Sequence, residues 1–213
     1  MALTFYNASG SPYGWRVWLA LEHKGLPYEL KMLSFDKGDL KTPEFRALNP
    51  RGRVPVIVDD GFALFESAAI VEFLEDKQPG EPRLFSANLR ERALQRRRVR
   101  EADQYVAELL ERLVDAVLFT APEQRSPELI AHICTDLRKE LTVWEAALIG
   151  DYLAGTLSAA DFTLYPEIAL VLRMADRNPG LIPTDLLGRK IAAWMRRMEA
   201  LPVTQKTWPP HWK

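Results

Sequence analysis

The sequence predicts a small α/β domain followed by an all-helical domain. Strand and helix patterns alternate up to residue 77, and a stretch rich in proline and glycine, 78–82, then interrupts them. Helical patterns occupy the rest of the 213 residues, which is enough chain for two domains that each bury a core. The expected fold class is therefore α/β, in the order βαβαββα, followed by all-α.

The α/β part consists of four strand patterns and three helical patterns. Strands are expected at Leu3–Ala8, Tyr28–Leu33, Val56–Val58 and Phe62–Phe65, and helices at Pro12–Lys24, just after Lys41-Thr42-Pro43, and at Ser67–Lys77. Gly25 suits the end of the first helix, and Pro43 suits the first position of the second. Asp59-Asp60-Gly61 joins the last two strands and is typical of a hairpin.

The second part has the pattern of a helical domain. Helices are expected at about 89–119, 127–149, 159–176 and 185–200, with prolines near their ends. Ser158-Ala-Ala-Asp161 has the form of a capping box with aspartate in place of glutamate, so we expect it to begin a helix and to have a structural role. The predicted organisation is a domain at 1–77, a linker at 78–88 and a helical domain at 89–213.

Composition and charge exclude two classes of partner. A formal net charge of -1 provides no positive field that would attract nucleic acid. Arg96-Arg97-Arg98 point in three directions on a helix and lie near Glu101 and Asp103, which is typical of a solvated or partner-facing surface. No apolar run approaches the roughly 20 residues that span a bilayer. We therefore expect no nucleic-acid partner and no membrane association.

Cysteine usage indicates a reducing compartment. Cys134 is the single cysteine, so no disulfide can form within the chain, and a cytoplasmic location is expected. The first strand pattern begins at Leu3, so no signal peptide is expected. No cluster of cysteine, histidine and acidic residues has the spacing of metal ligands, so no metal is expected.

Ser11 is the first candidate for chemistry. It precedes Pro12 at the start of a predicted helix, which fits a helix N-cap. The same position offers free N–H groups and the positive end of the helix dipole, so its hydroxyl could also donate to a thiolate or an oxyanion. A nucleophilic role is less favoured, because no histidine is near in sequence and no G-x-S-x-G motif is present. The residues alone leave the capping and chemical roles open.

Two positions around the hairpin are further candidates. Pro55 opens a strand, where a trans bond is the ordinary expectation, whereas a cis bond would turn the Val54 backbone outward to pair with an extended peptide. Glu66-Ser67 opens a helix in which position 70 is isoleucine, so no acid completes a capping box. That helix end could receive a carboxylate while Glu66 accepts from an amine. An exposed acid beside an ordinary cap is the alternative.

The ordered motifs resemble those of the soluble glutathione transferases, and among them the serine-type classes phi, tau, theta and zeta. The stretches that carry the resemblance are Ser11–Val17, Lys41–Pro50, Arg53-Val54-Pro55, Phe65-Glu66-Ser67 and, for the capping motif of the helical domain, Ala154–Asp161. The likeness covers essentially the whole chain. It implies a thioredoxin-like N-terminal domain, glutathione as a co-substrate, no metal, and a homodimer whose interface includes the helix that begins near Leu89.

The resemblance implies a role for each matching position. Ser11 would be the residue that activates the thiol. The glutathione-binding residues would be Lys41 and Arg53 for the glycine carboxylate, Val54 for the cysteinyl backbone next to a cis Pro55, and Glu66 and Ser67 for the γ-glutamyl end. The family often has glutamine where this chain has Arg53. Because no cysteine lies near Ser11, mixed-disulfide chemistry on a protein cysteine is not expected.

A serine hydroxyl is strong enough for the role implied for Ser11. A thiol with a pKa of about 8.5 needs a downward shift of roughly two units, or about 3 kcal/mol, to be mostly thiolate at neutral pH. One charge-assisted hydrogen bond contributes about 1.5–3 kcal/mol, and a helix terminus adds about 0.3–1 kcal/mol. No general base is therefore required. Ser11 is expected both to cap the helix and to donate to the thiolate.

The expected reaction is attack by the glutathione sulfur on a small hydrophobic electrophile. The residues expected to line its apolar pocket are Ser9, Tyr13, Phe35, Tyr105, Leu109 and Trp208. Glutathione-dependent peroxidase or isomerase chemistry on the same sulfur remains open, as does a non-enzymatic binding or scaffold role. Zeta-type isomerases favour Ser-Ser-Cys where this chain has Ser11-Pro12-Tyr13, which disfavours the isomerase.

Overall fold

The protein is described by a computed structural model that covers residues 3–212. These residues form two compact units, one of residues 3–85 with 200–212 and the other of residues 86–199. Residues 200–212, which follow the helical patterns and are predicted to belong to the helical domain, pack with the first unit. Within the described residues, no helix is both long enough and apolar enough to cross a membrane.

The first unit contains a four-stranded mixed sheet. The described strands are β1 at Leu3–Ala8, β2 at Tyr28–Leu33, β3 at Val56–Asp59 and β4 at Phe62–Phe65. Their order across the sheet is β2-β1-β3-β4; β1 and β2 are parallel, and the other neighbours are antiparallel. The predicted strands and the hairpin between β3 and β4 are confirmed, with β3 one residue longer than predicted.

Three helices alternate with these strands. They are α1 at Pro12–Lys24, α2 at Pro43–Leu48 and α3 at Ser67–Lys77, and a 3-10 turn, Asp39–Lys41, precedes α2. Ser11 and Thr42 cap α1 and α2 with their side-chain oxygens, and a proline follows each cap. Gly25 ends α1 with φ 63°, a left-handed conformation that glycine adopts without steric cost.

The central strands β1 and β3 have buried side chains on both faces of the sheet. On one face Phe45 of α2 packs with Ala8, Val54 and Val56. Because successive side chains on a strand alternate, Phe5 and Ile57 lie on the opposite face, where they are fully buried. Helices α1 and α3 pack against each other and against the strands. The α/β expectation for this part of the chain is confirmed.

Gly14 shows how closely α1 approaches the sheet. Asn7 is buried at the end of β1, and its Oδ1 accepts from the Ala8 N–H at 2.8 Å. A Cβ at position 14 would overlap that same oxygen. The early turn of α1 therefore requires a residue without a side chain, and this close contact helps to fix the start of the helix.

The second unit is helical. Its helices are α4 at Leu89–Glu101, α5 at Ala107–Val117, α6 at Pro127–Ala147, α7 at Ala159–Arg177 and α8 at Arg189–Glu199, with α9 at Pro202–Lys206 following in the first unit. The single helix predicted over 89–119 contains a π-helical turn at Ala102–Val106. The helix predicted from 185 begins at Arg189, because Glu145 of α6 accepts from the N–H groups of Lys190 and Ile191, both at 2.9 Å.

Helix α7 forms the centre of the second unit. Every residue from Ala159 to Val171 is buried. Asp161 accepts from the Ser158 N–H at 3.0 Å, as the capping box predicts, and also from the Leu153 N–H at 3.0 Å and from Trp194 Nε1 at 2.9 Å. These bonds lower the pKa of the Asp161 carboxyl, but the larger effect of burial raises it to about 6.

Candidate functional site

The strand register brings the predicted glutathione-binding segments to one edge of the sheet. Ala8 pairs with Leu33, Tyr6 pairs with Val56, and Val56 pairs with Phe65. The carboxyl ends of β1, β2 and β4 therefore meet the amino end of β3. The segments that extend from this edge include all of the predicted glutathione contacts: 9–11, 34–42, 53–55 and 66–67.

Ser11 lies at the junction between β1 and α1. Its N–H donates to the Ala8 carbonyl at 3.1 Å, and its Oγ accepts from the Gly14 N–H at 3.2 Å. The residue is only 8% exposed, so the surrounding protein restricts where its hydroxyl can point. Because Oγ serves as an acceptor toward the helix, its proton remains for donation. The N-cap geometry predicted for Ser11 is present.

Asn49 organises the loop that leads into β3. The buried amide donates from Nδ2 to the Arg53 carbonyl at 2.7 Å, and Oδ1 accepts from the Arg51 N–H at 3.0 Å. The Asn49 carbonyl also accepts from the Gly52 N–H at 2.9 Å. The Val54–Pro55 peptide bond that follows is cis, as the family resemblance implies.

Glu66 has an unusual backbone conformation at the start of α3. Its φ of 71° is positive, which is uncommon for a residue with a Cβ, and its carbonyl accepts from the Ile70 N–H at 2.9 Å. The Glu66 side chain makes no capping bond to the helix, and Ser67, the first residue of α3, is 8% exposed. The first turn of α3 thus lacks a cap from the residue that precedes it.

Charged side chains surround this edge. Lys41 ends the 3-10 turn, where its N–H donates to the Gly38 carbonyl at 2.8 Å, and both Lys41 and Arg53 are exposed. Arg51 Nε lies 3.7 Å from Glu66 Oε1, and both side chains are about 70% exposed. An ion pair so accessible to solvent contributes little to stability, so a ligand ammonium could replace Arg51 at Glu66 at small cost.

The residues predicted to contact the electrophile are divided between the two units. Ser9, Tyr13, Phe35 and Trp208 belong to the first unit, and Tyr105 and Leu109 belong to the second. Phe35 and Tyr105 are about half exposed. Trp208 packs edge-on against Trp15 with ring centroids 5.5 Å apart. A role for these six residues in the pocket stays a prediction.

Two residues beside the site make side-chain contacts that no sequence pattern predicts. Asn49 occurs in an Asn-Pro pair, a general turn signal that gives no information about its two side-chain contacts. His211 Nδ1 lies 2.6 Å from Ser9 Oγ, although the two residues are 202 positions apart. No local pattern could have indicated that contact. Within residues 3–212, no group of three or more His, Cys, Asp and Glu side chains is arranged to hold a metal ion.

The mixed sheet with α1 and α3 packed beside it, followed by a helical unit, defines a two-domain protein with a thioredoxin-like N-terminal domain. Residues 10–77 match the family model described as the N-terminal domain of glutathione S-transferase. Glutathione S-transferase A of Pleuronectes platessa is 31% identical over 99% of this chain and 92% of its own length. The maleylacetoacetate isomerase of Mus musculus is 31% identical over 77% of this chain and 76% of its own length.

A solved structure extends this likeness to three dimensions. A glutathione transferase from Burkholderia graminis, with two glutathione molecules bound per subunit, is similar with a TM-score of 0.85 and 26% identity over 98% of this chain and 88% of that chain. The chain therefore belongs to the glutathione S-transferase family and is a glutathione transferase enzyme. The family and fold class predicted from the motifs are confirmed.

Proposed function

We propose that this enzyme stabilises the thiolate of glutathione at Ser11 and transfers its sulfur to a small hydrophobic electrophile. The observation that carries the proposal is the position of Ser11. It is a buried N-cap at the sheet edge where the other predicted glutathione contacts also lie, and its Oγ accepts from the Gly14 N–H. A hydroxyl held in this way retains its proton to donate to sulfur.

The proposed orientation of glutathione follows from the charges along this edge. Glu66 would accept from the ammonium of the γ-glutamyl unit, and the N–H groups at the start of α3 with Ser67 would bind its carboxylate. The Val54 backbone would pair with the cysteinyl unit. Lys41 and Arg53 would bind the carboxylate at the glycine end. The glutathione bound in the Burkholderia graminis transferase supports this assignment of the ligand.

Transfer to an electrophile is favoured over thiol–disulfide chemistry on a protein cysteine. Cys134 lies in α6 of the second unit and is buried, and this burial raises the pKa of its thiol. A buried thiol with a raised pKa is a poor nucleophile at neutral pH. The sulfur that reacts would therefore be that of glutathione.

An isomerase reaction is the second candidate. The mouse relative is named a maleylacetoacetate isomerase, and this reaction class is compatible with an activated glutathione sulfur. The chain has Pro12 and Tyr13 where the zeta-type enzymes favour a serine and a cysteine. Turnover of maleylacetoacetate by the purified protein, measured beside a panel of electrophiles and a hydroperoxide, distinguishes isomerase, transferase and peroxidase activity.

Substitution of Ser11 tests the proposal, and Ser126 provides a matched control. Both serines are N-caps followed by proline, and Ser126 Oγ accepts from the Leu129 N–H at 3.2 Å in the helical unit. We expect Ser11→Ala and Ser126→Ala to reduce stability by about 1 kcal/mol each. Only Ser11→Ala should reduce kcat with chlorodinitrobenzene, by about tenfold or more, because it removes the donor to the thiolate.

The affinity of each variant for a glutathione analogue separates a loss of catalysis from a loss of binding. Ser11→Ala should bind S-methylglutathione nearly as well as the wild type, since that analogue has no thiol to activate. Unchanged turnover and an unchanged titration of the bound thiol in Ser11→Ala would contradict the proposal. Retention on a glutathione resin with elution by free glutathione distinguishes the enzyme from a scaffold that lacks the tripeptide site.

We also propose that the protein is a homodimer in the cytoplasm. Leu89 and Leu94 are exposed apolar side chains on α4, the helix that the family resemblance assigns to the interface. A chain whose single cysteine is a buried thiol is suited to a reducing compartment.

A further inference from the structure

Residues 207–212 contact the loop that holds the proposed thiol-activating serine. His211 Nδ1 and Ser9 Oγ are 2.6 Å apart, a hydrogen-bonding distance. Gly10 has φ +87°, and a Cβ built there would lie 2.7 Å from His211 Cε1 and 3.1 Å from His211 Nε2. The imidazole therefore lies directly against the backbone of the residue that precedes Ser11.

A cluster of three tryptophans anchors this histidine. The rings of Trp208 and Trp212 each pack edge-on against Trp15 of α1 at 5.5 Å, and they lie 6.0 Å from each other. Trp15 Nε1 also donates to Thr207 Oγ1 at 2.8 Å. Because Trp15 and Trp212 are buried, the segment that carries His211 is fixed to the same helix that Ser11 caps.

The loop needs such support because of its sequence. Glycine at position 10 adopts a left-handed conformation and is the most flexible residue that could precede Ser11. A displacement of about 1 Å at a reacting group can reduce the rate by about a hundredfold. The hydrogen bond between His211 and Ser9 and the contact of the imidazole ring with Gly10 restrict the two residues before Ser11. The helix cap restricts Ser11 itself.

We propose that His211 is a positioning residue for the reaction, which holds the loop of residues 9–11 so that the Ser11 hydroxyl points at the glutathione sulfur. This inference rests on the proposed function of Ser11. His211 acts through Ser9 and Gly10, and its contribution is to the geometry of the thiolate complex rather than to the affinity for the rest of the tripeptide.

Three variants test the proposal. His211→Ala removes the bond to Ser9, His211→Asn keeps a polar atom near the place of Nδ1, and His132→Ala is the control, because His132 is an exposed histidine of the helical unit. With chlorodinitrobenzene, His211→Ala should lower kcat about threefold to tenfold and change the KM for glutathione by less than about twofold. His211→Asn should recover most of the loss, and His132→Ala should behave as wild type.

The ultraviolet absorbance of the bound thiolate reports the pH at which the glutathione thiol titrates. A purely structural role of His211 would leave this titration unchanged. In His211→Ala the glutathione thiol should titrate at higher pH than in the wild-type complex, since the donor is less well placed. In a cycle of Ser9→Ala, His211→Ala and the double variant, the two substitutions should be non-additive, with the double variant no worse than the more impaired single variant.

The outcomes separate this inference from the proposed function. Full activity in Ser11→Ala would overturn both. An impaired Ser11→Ala with wild-type kcat and thiol titration in His211→Ala would overturn the positioning role alone, and so would fully additive losses in the cycle. If His211→Ala does not fold, Ser9→Ala and His211→Asn test the positioning role instead. Ser9→Ala is expected to reproduce the loss, and wild-type kcat in Ser9→Ala would overturn the role.

Discussion

Among single residues, Glu66 combines backbone strain with an exposed charge. A non-glycine residue at φ 71° costs of order 1–3 kcal/mol, and the flanking elements β4 and α3 keep it in that conformation. The Glu66 carboxylate lies 3.7 Å from Arg51 Nε, which is a loose contact. Strain of this kind concentrates at binding and catalytic sites, so the conformation supports the proposed role of Glu66 in binding the glutathione ammonium.

Removing the charge of Glu66 should weaken binding more than turnover. We expect Glu66→Gln to raise the dissociation constant of S-methylglutathione about tenfold, because one charge-assisted hydrogen bond to the ammonium is lost, while kcat at saturating glutathione changes by less than about threefold. Calorimetric titration and initial rates measure the two quantities. Asp76→Asn, which neutralises an exposed acid at the far end of α3, is the control. Unaltered affinity with reduced kcat would contradict the assignment.

Among the elements, α7 depends on one buried carboxyl. Asp161 accepts from backbone N–H groups at two places, from Trp194 and from the Ser158 hydroxyl, and so joins the start of α7 to α8 and to the preceding loop. The Ser-x-x-Asp spacing predicted the cap, but the contact with Trp194 was outside any local pattern. The helix start is therefore also a junction between elements.

The raised pKa of Asp161 predicts a specific pH dependence of stability. The pKa of the carboxyl is about 6 in the folded protein and about 3.9 in the unfolded chain. Between these values the folded state binds the proton more tightly, so the contribution of this group to the free energy of unfolding falls as the pH rises from about 4 to about 6, by about 3 kcal/mol in total.

Asp161→Asn isolates this contribution, since asparagine does not titrate. The difference in free energy of unfolding between wild type and Asp161→Asn should decrease by about 2–3 kcal/mol between about pH 4 and pH 7 in urea titrations. Asp185→Asn is the control. Arg138 holds the pKa of Asp185 below its usual range, so the difference in free energy of unfolding between wild type and Asp185→Asn should increase with pH. A difference for Asp161→Asn that grows with pH would show that the hydrogen bonds outweigh burial.

At the scale of the whole molecule, two exposed leucines on α4 bear on assembly. Leu89 and Leu94 of α4 are 75% and 46% exposed, on a helix that is otherwise rich in charge. The proposed dimer would cover them. Ile149, 96% exposed in the loop after α6, is a comparable apolar residue on another surface and serves as a control.

The dimer predicts a measurable mass. Light scattering coupled to gel filtration should give twice the chain mass of 24.3 kDa for the wild type. Leu94→Glu should shift the population toward the single-chain mass, because burial of a charge at an interface is costly, and Ile149→Glu should not. A single-chain mass for the wild type at micromolar concentration would contradict the homodimer.

Local signals in the sequence predict most of the elements and their order. Turn residues, caps and hydrophobic periods act within a few positions of the chain, so Leu3–Ala8, Pro12–Lys24 and Ser67–Lys77 have the predicted bounds. The same local signals predicted Ser11 as a cap. The glutathione assignments required the family resemblance as well, because an exposed lysine or arginine has no pattern that distinguishes a ligand contact from a solvated surface.

Contacts between residues that are distant in sequence depend on the folded structure. Sheet register brought four separate segments to one edge, Glu145 set the beginning of α8, and the tryptophan cluster placed residues 200–212 with the first unit and His211 beside Ser9. Such contacts join positions tens to hundreds of residues apart. Their formation depends on which surfaces the folded chain brings together, and no local preference of the backbone encodes that.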